Sequence, residues 1–379
     1  MYLIKERHRY RGAQEVADVK ELETEEITKN SLNSLSPYIG KMRLSLSKYL
    51  IERYSDDDGI IYDPFAGSGT TLLEGWALGH PVVGNDLNYY AFVLSMGKLN
   101  PYRTLEEAES KLLYYKRLAE ARSKKHTTDN VPDWVSVFFN EKTLSEILSW
   151  VYYLKRNKEW FLLANLLGIL HHQRPGFLSF PSSHGAPYLR NKKYPEELFP
   201  EMYQYKNVYE KLLNKVRRSF KCIPNLDFSI QRRMYNKDAC RIRYNGEHFS
   251  TIITSPPYMK SLTYARDNRL RLWFLGEENW KGLDKIISPE RRVFLDMMKK
   301  SFCNWAKCQR KGDKCVLVVG DIMIAEGKKS MKMADCLVDL SKKYYTCNEM
   351  FRDPIPEIKK VVKGNSRIKQ EIIIVLERA

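Results

Sequence analysis

Apolar positions along this 379-residue chain follow two rhythms, and each predicts a different element. Short apolar runs closed by turn residues read as buried strands: IIYDPF, HPVVGNDLN ending on Asp86, FSIQRRMYNKDA, STIITSPPY, KCVLVVGDIMI and EIIIVLERA. Helical spacing shows instead at Met42, Leu44, Leu46, Tyr49, Leu50 and Ile51, before a turn at residues 56–59. In LLEGWALG a helical pattern leaves the tight glycine loop AGSGTT, and Gly79 stands where a C-terminal cap belongs. Strand, glycine loop, helix and strand make one βαβ unit. That unit predicts a parallel sheet with a right-handed crossover.

Beyond Asn100 the rhythm changes. Residues 104–126 and 141–170 carry helical spacing rich in Leu, Tyr and Glu, and a further basic helix is expected from about Tyr203 to Phe220. Between them RPGFLSFPSSHGAPYLRNKKYPEELFP, rich in Pro, Gly, Ser and aromatics, reads as ordered loop. The βα pattern returns from about Asp227. The expected architecture is an α/β sheet interrupted by a mostly helical insertion. YARDNRLRLWFLG, after STIITSPPY, reads as a core-facing helix with Tyr264 and Asp267 at the edge of any pocket there.

Composition adds three constraints. A hydrophobic content of 43% and an aromatic content of 12% are ample for a packed core. The most apolar helical stretch, WFLLANLLGIL, is too short for a bilayer, and the charged start MYLIKERHRYRG lacks a signal-peptide core, so no membrane partner is expected. The seven cysteines form no CxxC pair, which predicts reduced thiols in an intracellular protein and no metal site. The net charge of +17 needs a partner. Residues 151–235 hold 15 Lys plus Arg against 6 Asp plus Glu, so a polyanion-binding face is expected there.

Four short motifs carry the chemistry. In DPFAGSGTT, Gly67 and Gly69 let a ligand approach bare backbone while the next helix points its N-terminus at it. The loop lacks the Lys of a triphosphate loop and the third glycine of the dinucleotide fingerprint. Asp86 ends the next strand at the offset where a carboxylate meets ribose hydroxyls. Asp238 in NKDAC could accept a hydrogen bond from an adenine amino group at the same crevice, or simply shape a turn. In TSPPY two prolines fix the backbone and aim carbonyls outward, Ser255 adds a hydroxyl and Tyr258 a flat ring. That set suits an exocyclic amino group with an aromatic ring stacked on its base.

DPFAGSGTT and TSPPY resemble the cofactor and catalytic motifs of the S-adenosylmethionine-dependent amino-methyltransferases of DNA. SPYIGK resembles that family's extra cofactor-contacting segment, and KCVLVVGDIMI and EIIIVLERA its later strands. The resemblance covers roughly residues 36–100 and 228–379 and implies a Rossmann-like methyltransferase sheet. Residues 1–100 would hold an N-terminal arm and the cofactor half, 101–226 the helical target-recognition insertion, and 227–379 the catalytic half. S-adenosyl-L-methionine would lie against Tyr38, Asp63, Pro64, Phe65, Gly67, Gly69, Thr70, Asp86, Leu87, Asp238 and Ala239. Ser255, Pro256, Pro257 and Tyr258 would be catalytic, acting on a base rotated out of double-stranded DNA. Ser before Pro-Pro-Tyr is similar to the cytosine-N4 enzymes, whereas adenine-N6 enzymes usually carry Asp or Asn. No Pro-Cys dipeptide of the cytosine-C5 type exists in the chain.

The resemblance further implies a cytoplasmic, prokaryotic modification enzyme, with any cognate restriction endonuclease acting separately. Arg174, Arg190, Lys192, Lys193, Arg217 and Arg218 are the expected DNA contacts, whereas Lys359, Lys360, Lys363 and Arg367 read more as a solvated loop than as an addition to that face. His171, His172 and His184 could relay a proton or fill structural roles. Two rivals stand beside the cytosine-N4 reading: a methyltransferase for adenine-N6 or an RNA base, and a nucleic-acid-binding regulator that has lost catalysis.

Overall fold

The computed structural model describes residues 30–379 apart from 126, 175, 184, 245, 258–262, 288, 321, 327–328 and 355–369. Helix α1 (Leu44–Tyr54) precedes strand β1 (Ile61–Asp63), and helix α2 (Thr70–Ala77) leads to β2 (Val82–Asn85). Helix α3 (Tyr89–Leu99) opens a helical run of α4 (Leu105–Ser123), α5 (Glu141–Arg156), α6 (Trp160–Gly168) and α7 (Val208–Ser219). Strands β3 (Arg232–Tyr235) and β4 (Thr251–Thr254) follow, then α8 (Arg269–Phe274), α9 (Trp280–Ile287) and α10 (Arg291–Trp305). The chain ends through β5 (Lys314–Gly320), the hairpin β6 (Met323–Glu326) and β7 (Lys329–Lys332), α11 (Met333–Ser341), β8 (Tyr345–Pro354) and β9 (Gln370–Arg378).

Seven strands form one sheet in the order β3-β2-β1-β4-β5-β9-β8. The first five are parallel, while β9 runs antiparallel between β5 and β8. Alternation along the strands divides two cores. Ile61, Val82, Ile253, Val316, Ile373 and Val375 join one cluster; Tyr62, Val83, Ile252, Cys315, Ile374 and Leu376 join the other. Both faces are therefore covered, as parallel strands require. Truncating a fully buried residue such as Leu50 to Ala would cost roughly 2–5 kcal/mol.

The helices of residues 105–219 share the first cluster with α1, α2, α3 and α8. Their starts are written locally. Thr104, Asn140 and Asn207 each accept a backbone N–H one turn ahead, which satisfies donors that a helix leaves open. The expected helix YARDNRLRLWFLG is in fact two pieces, a turn at Tyr264–Asp267 and α8, divided at Asn268. The side chain of Asn268 donates back to the Tyr264 carbonyl at 2.9 Å, competing with the helical ladder.

Candidate active site

The carboxyl ends of β1, β2 and β4 open on one cavity of about 570 Å³, where a doubly wound sheet holds its ligands. Its floor is the glycine loop. Gly67 (φ +51°) and Gly69 (φ +70°) are left-handed. A Cβ at Gly69 would meet Ser95 Oγ at 2.6 Å, so that position needs glycine. Gly67 N donates to Asp86 Oδ2 at 2.8 Å, and Asn88 N donates to Oδ1 at 2.8 Å. Backbone thus aims both oxygens of Asp86, and each keeps a lone pair for a hydroxyl. Burial pushes the Asp86 carboxyl up to about 6, opposed by these two N–H bonds.

The TSPPY motif meets the glycine loop through a hydrogen bond. Thr254 Oγ1 donates to Asp63 Oδ1 at 2.6 Å, and Phe65 N donates to the same oxygen at 3.2 Å. Burial still pushes Asp63 up to about 7. The first residue of TSPPY is therefore tied to the first of DPFAGSGTT across neighbouring strands. Ser255 and Pro257 line the cavity, while Pro256 is buried behind them. Tyr258 lies outside the described residues.

Of the other cofactor positions read from sequence, Tyr38, Asp63, Phe65, Gly67, Thr70, Asp86, Leu87, Asp238 and Ala239 line the cavity. Tyr38 covers Gly67, where a Cβ would come within 3.3 Å of its ring, and stacks on Tyr264 with centroids 6.2 Å apart. Burial, reinforced by Asp86, holds the Tyr38 hydroxyl well above its ordinary pKa, so the ring stays neutral. Asp238 lies three residues past the end of β3, accepts from Cys240 N at 2.9 Å and pairs with Arg241 at 3.3 Å. Pro64 and Gly69 stand behind the wall: the Pro64 carbonyl accepts from Asn85 Nδ2, and Gly69 caps α2 against Ser95.

The cavity also recruits residues that no motif announced. Ile286 and Ile287 come from the end of α9; Val293, Asp296, Met297 and Lys300 come from α10. Helical spacing alone does not single them out. Thr254 could have been found, because it belongs to the quoted pentapeptide. An anchored carboxylate, bare backbone beneath an aromatic ring and an apolar opposite wall together fit a nucleoside-bearing cofactor.

The six basic positions fall on two separate parts of the chain. Arg174, Arg190, Lys192 and Lys193 are exposed on the segment after α6, where Arg190 Nη1 donates to Gln173 Oε1 at 2.5 Å. Arg217 and Arg218 are exposed on α7, where Arg217 pairs with Glu109 of α4 at 2.7 Å. His171 and His172 are buried; His171 Nδ1 lies 3.2 Å from the Ser183 carbonyl and His172 stacks on Phe177 at 4.7 Å. Both geometries serve packing. His184 and the basic positions at 359–367 lie outside the described residues. No helix among the described residues is long and apolar enough to cross a membrane.

Residues 5–95 match the DNA methylase family of N6/N4 amino-methyltransferases. The chain is similar to the Type II methyltransferase M.MvaI of Kocuria varians, 28% identical over 241 residues, covering 57% of this chain and 50% of that protein. It is also similar to the Type II methyltransferase M.MjaII of Methanocaldococcus jannaschii, 35% identical over 81 residues, or 21% of this chain and 15% of that protein. The chain thus spans about half the length of the first relative and far less of the second. Similar solved structures include TrmN from Thermus thermophilus, at 12% identity and a TM-score of 0.37, covering 93% of this chain and 53% of that one. The rRNA methyltransferase aviRa from Streptomyces viridochromogenes has 11% identity and a TM-score of 0.33, covering 93% and 91%.

Proposed function

Because residues 5–95 match the DNA methylase family, we propose that this chain is an S-adenosylmethionine-dependent DNA amino-methyltransferase that methylates the exocyclic amino group of a base in double-stranded DNA, and that the base is cytosine at N4. The observation that carries this reading is the Thr254–Asp63 hydrogen bond, which holds the amino-group motif and the cofactor loop on one cavity. When bound, S-adenosylmethionine supplies an electrophilic methyl group on its sulfonium.

The chain's own residues do the rest. Asp86 accepts the ribose hydroxyls, Gly67 gives bare backbone, and Asp238 with Ala239 borders the adenine. The Ser255 hydroxyl oxygen and the Pro256 carbonyl accept the two hydrogens of the target amino group, which aims its nitrogen lone pair at the methyl group. Tyr258 stacks on the extruded base. Extrusion costs a few kcal/mol, which stacking and phosphate contacts must offset. Residues 101–226 serve as the target-recognition region. Arg174, Arg190, Lys192 and Lys193 supply phosphate contacts from the segment after α6, and Arg217 and Arg218 supply others from α7.

Ser255 favours cytosine, since adenine-N6 enzymes usually carry an acid or amide there. The protein acts in a restriction-modification setting, beside an endonuclease that cuts the same site. Digesting DNA from cells expressing the chain to nucleosides, then weighing them, tests the assignment. N4-methylcytosine is expected; N6-methyladenine would move the substrate to adenine, and methylation confined to RNA would overturn the DNA reading.

A further inference from the structure

Beside the cavity stands a charged cluster that the amino-methyltransferase reading leaves unused. On the turn Tyr264–Asp267, Tyr264 faces the cavity. Arg266, two positions on, is rotated by about 200° and stands exposed on the outer side. The turn is held in place by Ala265 N, which donates to Asp284 Oδ1 at 2.9 Å. Opposite it, the segment 182–189 folds back on itself through a bridge between Ser182 and Leu189 and a bond from Ser183 N to the Tyr188 carbonyl at 2.9 Å. This fold carries Tyr188 outward, 49% exposed.

Two guanidinium groups converge on that ring. Arg266 Nη2 donates to Tyr188 Oη at 3.0 Å, and the Arg269 guanidinium lies over the ring at 4.7 Å while donating to the Pro187 carbonyl. Among the described residues neither arginine forms an ion pair with a carboxylate. Because Tyr188 Oη accepts from Arg266, its own proton can point outward as a donor. The hydrogen bond from Arg266 also lowers the Tyr188 pKa, the mark of a locally positive potential. Arg269 also donates to the Arg266 carbonyl at 3.3 Å, so it holds the ring and the turn together, while the exposed Arg266 fork beside the Tyr188 hydroxyl matches a phosphate.

We propose that Tyr188, Arg266 and Arg269 form a clamp for a DNA backbone phosphate next to the extruded nucleotide. The inference rests on the DNA methyltransferase reading and adds its missing part, a strand anchor at the cavity mouth. It also couples the halves of the molecule, since Tyr188 comes from the helical insertion and both arginines follow the catalytic strand. A phosphate gripped here would hold the two together on DNA.

The test is methyl incorporation from S-adenosylmethionine into unmethylated plasmid DNA at several salt concentrations, for wild type, Arg266→Ala, Arg266→Lys and Tyr188→Phe. Arg266→Ala should raise KM for DNA about tenfold and lower the salt slope of log KM by about 1, as loss of one phosphate contact does. The loss should fall on KM rather than kcat, and Arg266→Lys should recover part of it. Tyr188→Phe keeps the ring and should raise KM about threefold, the effect of one hydrogen bond to a charged group that water partly replaces. Calorimetric affinity for S-adenosylmethionine should match wild type in each variant, which also reports an intact fold. Active wild type with unchanged KM and salt slope in Arg266→Ala overturns the clamp alone. A wild type that methylates no DNA overturns the underlying reading as well.

Discussion

Gly67 and Asp86, at the floor of the cavity, are 19 residues apart in the chain; Tyr188 and Arg266, at the proposed rim, are 78 apart. The floor is assembled within one βαβ unit. Its glycine loop has one allowed course, and the backbone N–H groups of Gly67 and Asn88 aim the carboxylate. The rim is assembled by packing a loop of the insertion onto a helical turn that follows β4. A local site writes its geometry into adjacent residues, whereas a rim built by tertiary packing leaves no spacing to read. The same contrast orders the expected losses, since the proposed cofactor and amino-group contacts are few and line the cavity, and the proposed DNA contacts are many and exposed.

The largest loss is expected at the chemical step. Ser255→Ala removes one of two acceptors for the target amino group and should lower kcat by about 10²–10³-fold, the scale of losing one positioned hydrogen bond in an active site. Calorimetry should still show S-adenosylmethionine binding, because backbone N–H groups of Gly67 and Asn88 aim Asp86. Undiminished methylation would remove Ser255 from the catalytic set and, with it, the reason for preferring cytosine.

Next comes Asp86. Asp86→Ala deletes the ribose acceptor and strands the N–H groups of Gly67 and Asn88, which should weaken cofactor binding about 100-fold or more. The wild-type affinity should also depend on pH. The carboxyl is raised to about 6 in the protein, and hydroxyl donors favour its ionised form. Affinity should therefore level off above about pH 6 and fall about tenfold per unit below it. Asp86→Asn, titrated by calorimetry from pH 5 to 8, should flatten that profile. An equally steep fall in the variant would assign the dependence to Asp63, which titrates near 7.

A smaller effect is expected where the two motifs join. Thr254→Val removes the hydroxyl that donates to Asp63 and leaves a buried carboxylate oxygen short of a donor. Stability should fall by about 1–3 kcal/mol, read from a denaturant midpoint. The sign with pH is fixed. Asp63 has a folded pKa above its ordinary 3.8, so protonation favours the fold, and this contribution fades as pH rises toward 7. Losing the hydroxyl raises that pKa further, so the deficit of Thr254→Val should be larger at pH 8 than at pH 5. Equal deficits at both values would mean that the bond serves packing alone.

These same residues show what the sequence made legible. The glycine loop, Asp86 and TSPPY were readable because backbone conformation and short range fix them. The inner strands were readable because burial on both faces gives plain apolar runs. Strand β8 escaped notice: YTCNEMFRDP is an edge strand with polar positions at Asn348, Glu349, Arg352 and Asp353, and a register shift between Cys347 and Glu349 breaks its period. The reversed direction of β9 was equally hidden, since IIIVL looks the same in a parallel or an antiparallel ladder. Asp296, Met297 and Lys300 reach the cavity only because α10 packs beneath it, and no spacing within the helix says so.

The smallest effect is expected on α7 of the insertion. Arg217 already shares its charge with Glu109 on an exposed face, and such solvent-screened pairs contribute little. Arg217→Ala should raise KM for DNA no more than about twofold, against the larger rise expected for Arg266→Ala, because an exposed phosphate contact already shared with a carboxylate is worth little in high dielectric. Measuring both variants in one salt titration compares the two ends of the basic surface directly. If Arg217→Ala costs as much as Arg266→Ala, the duplex lies along α7 and the recognition face is the helical side of the insertion. If only Arg266→Ala is costly, the strand is gripped at the cavity mouth, and the remaining positive charge of the insertion serves to attract DNA more than to hold it.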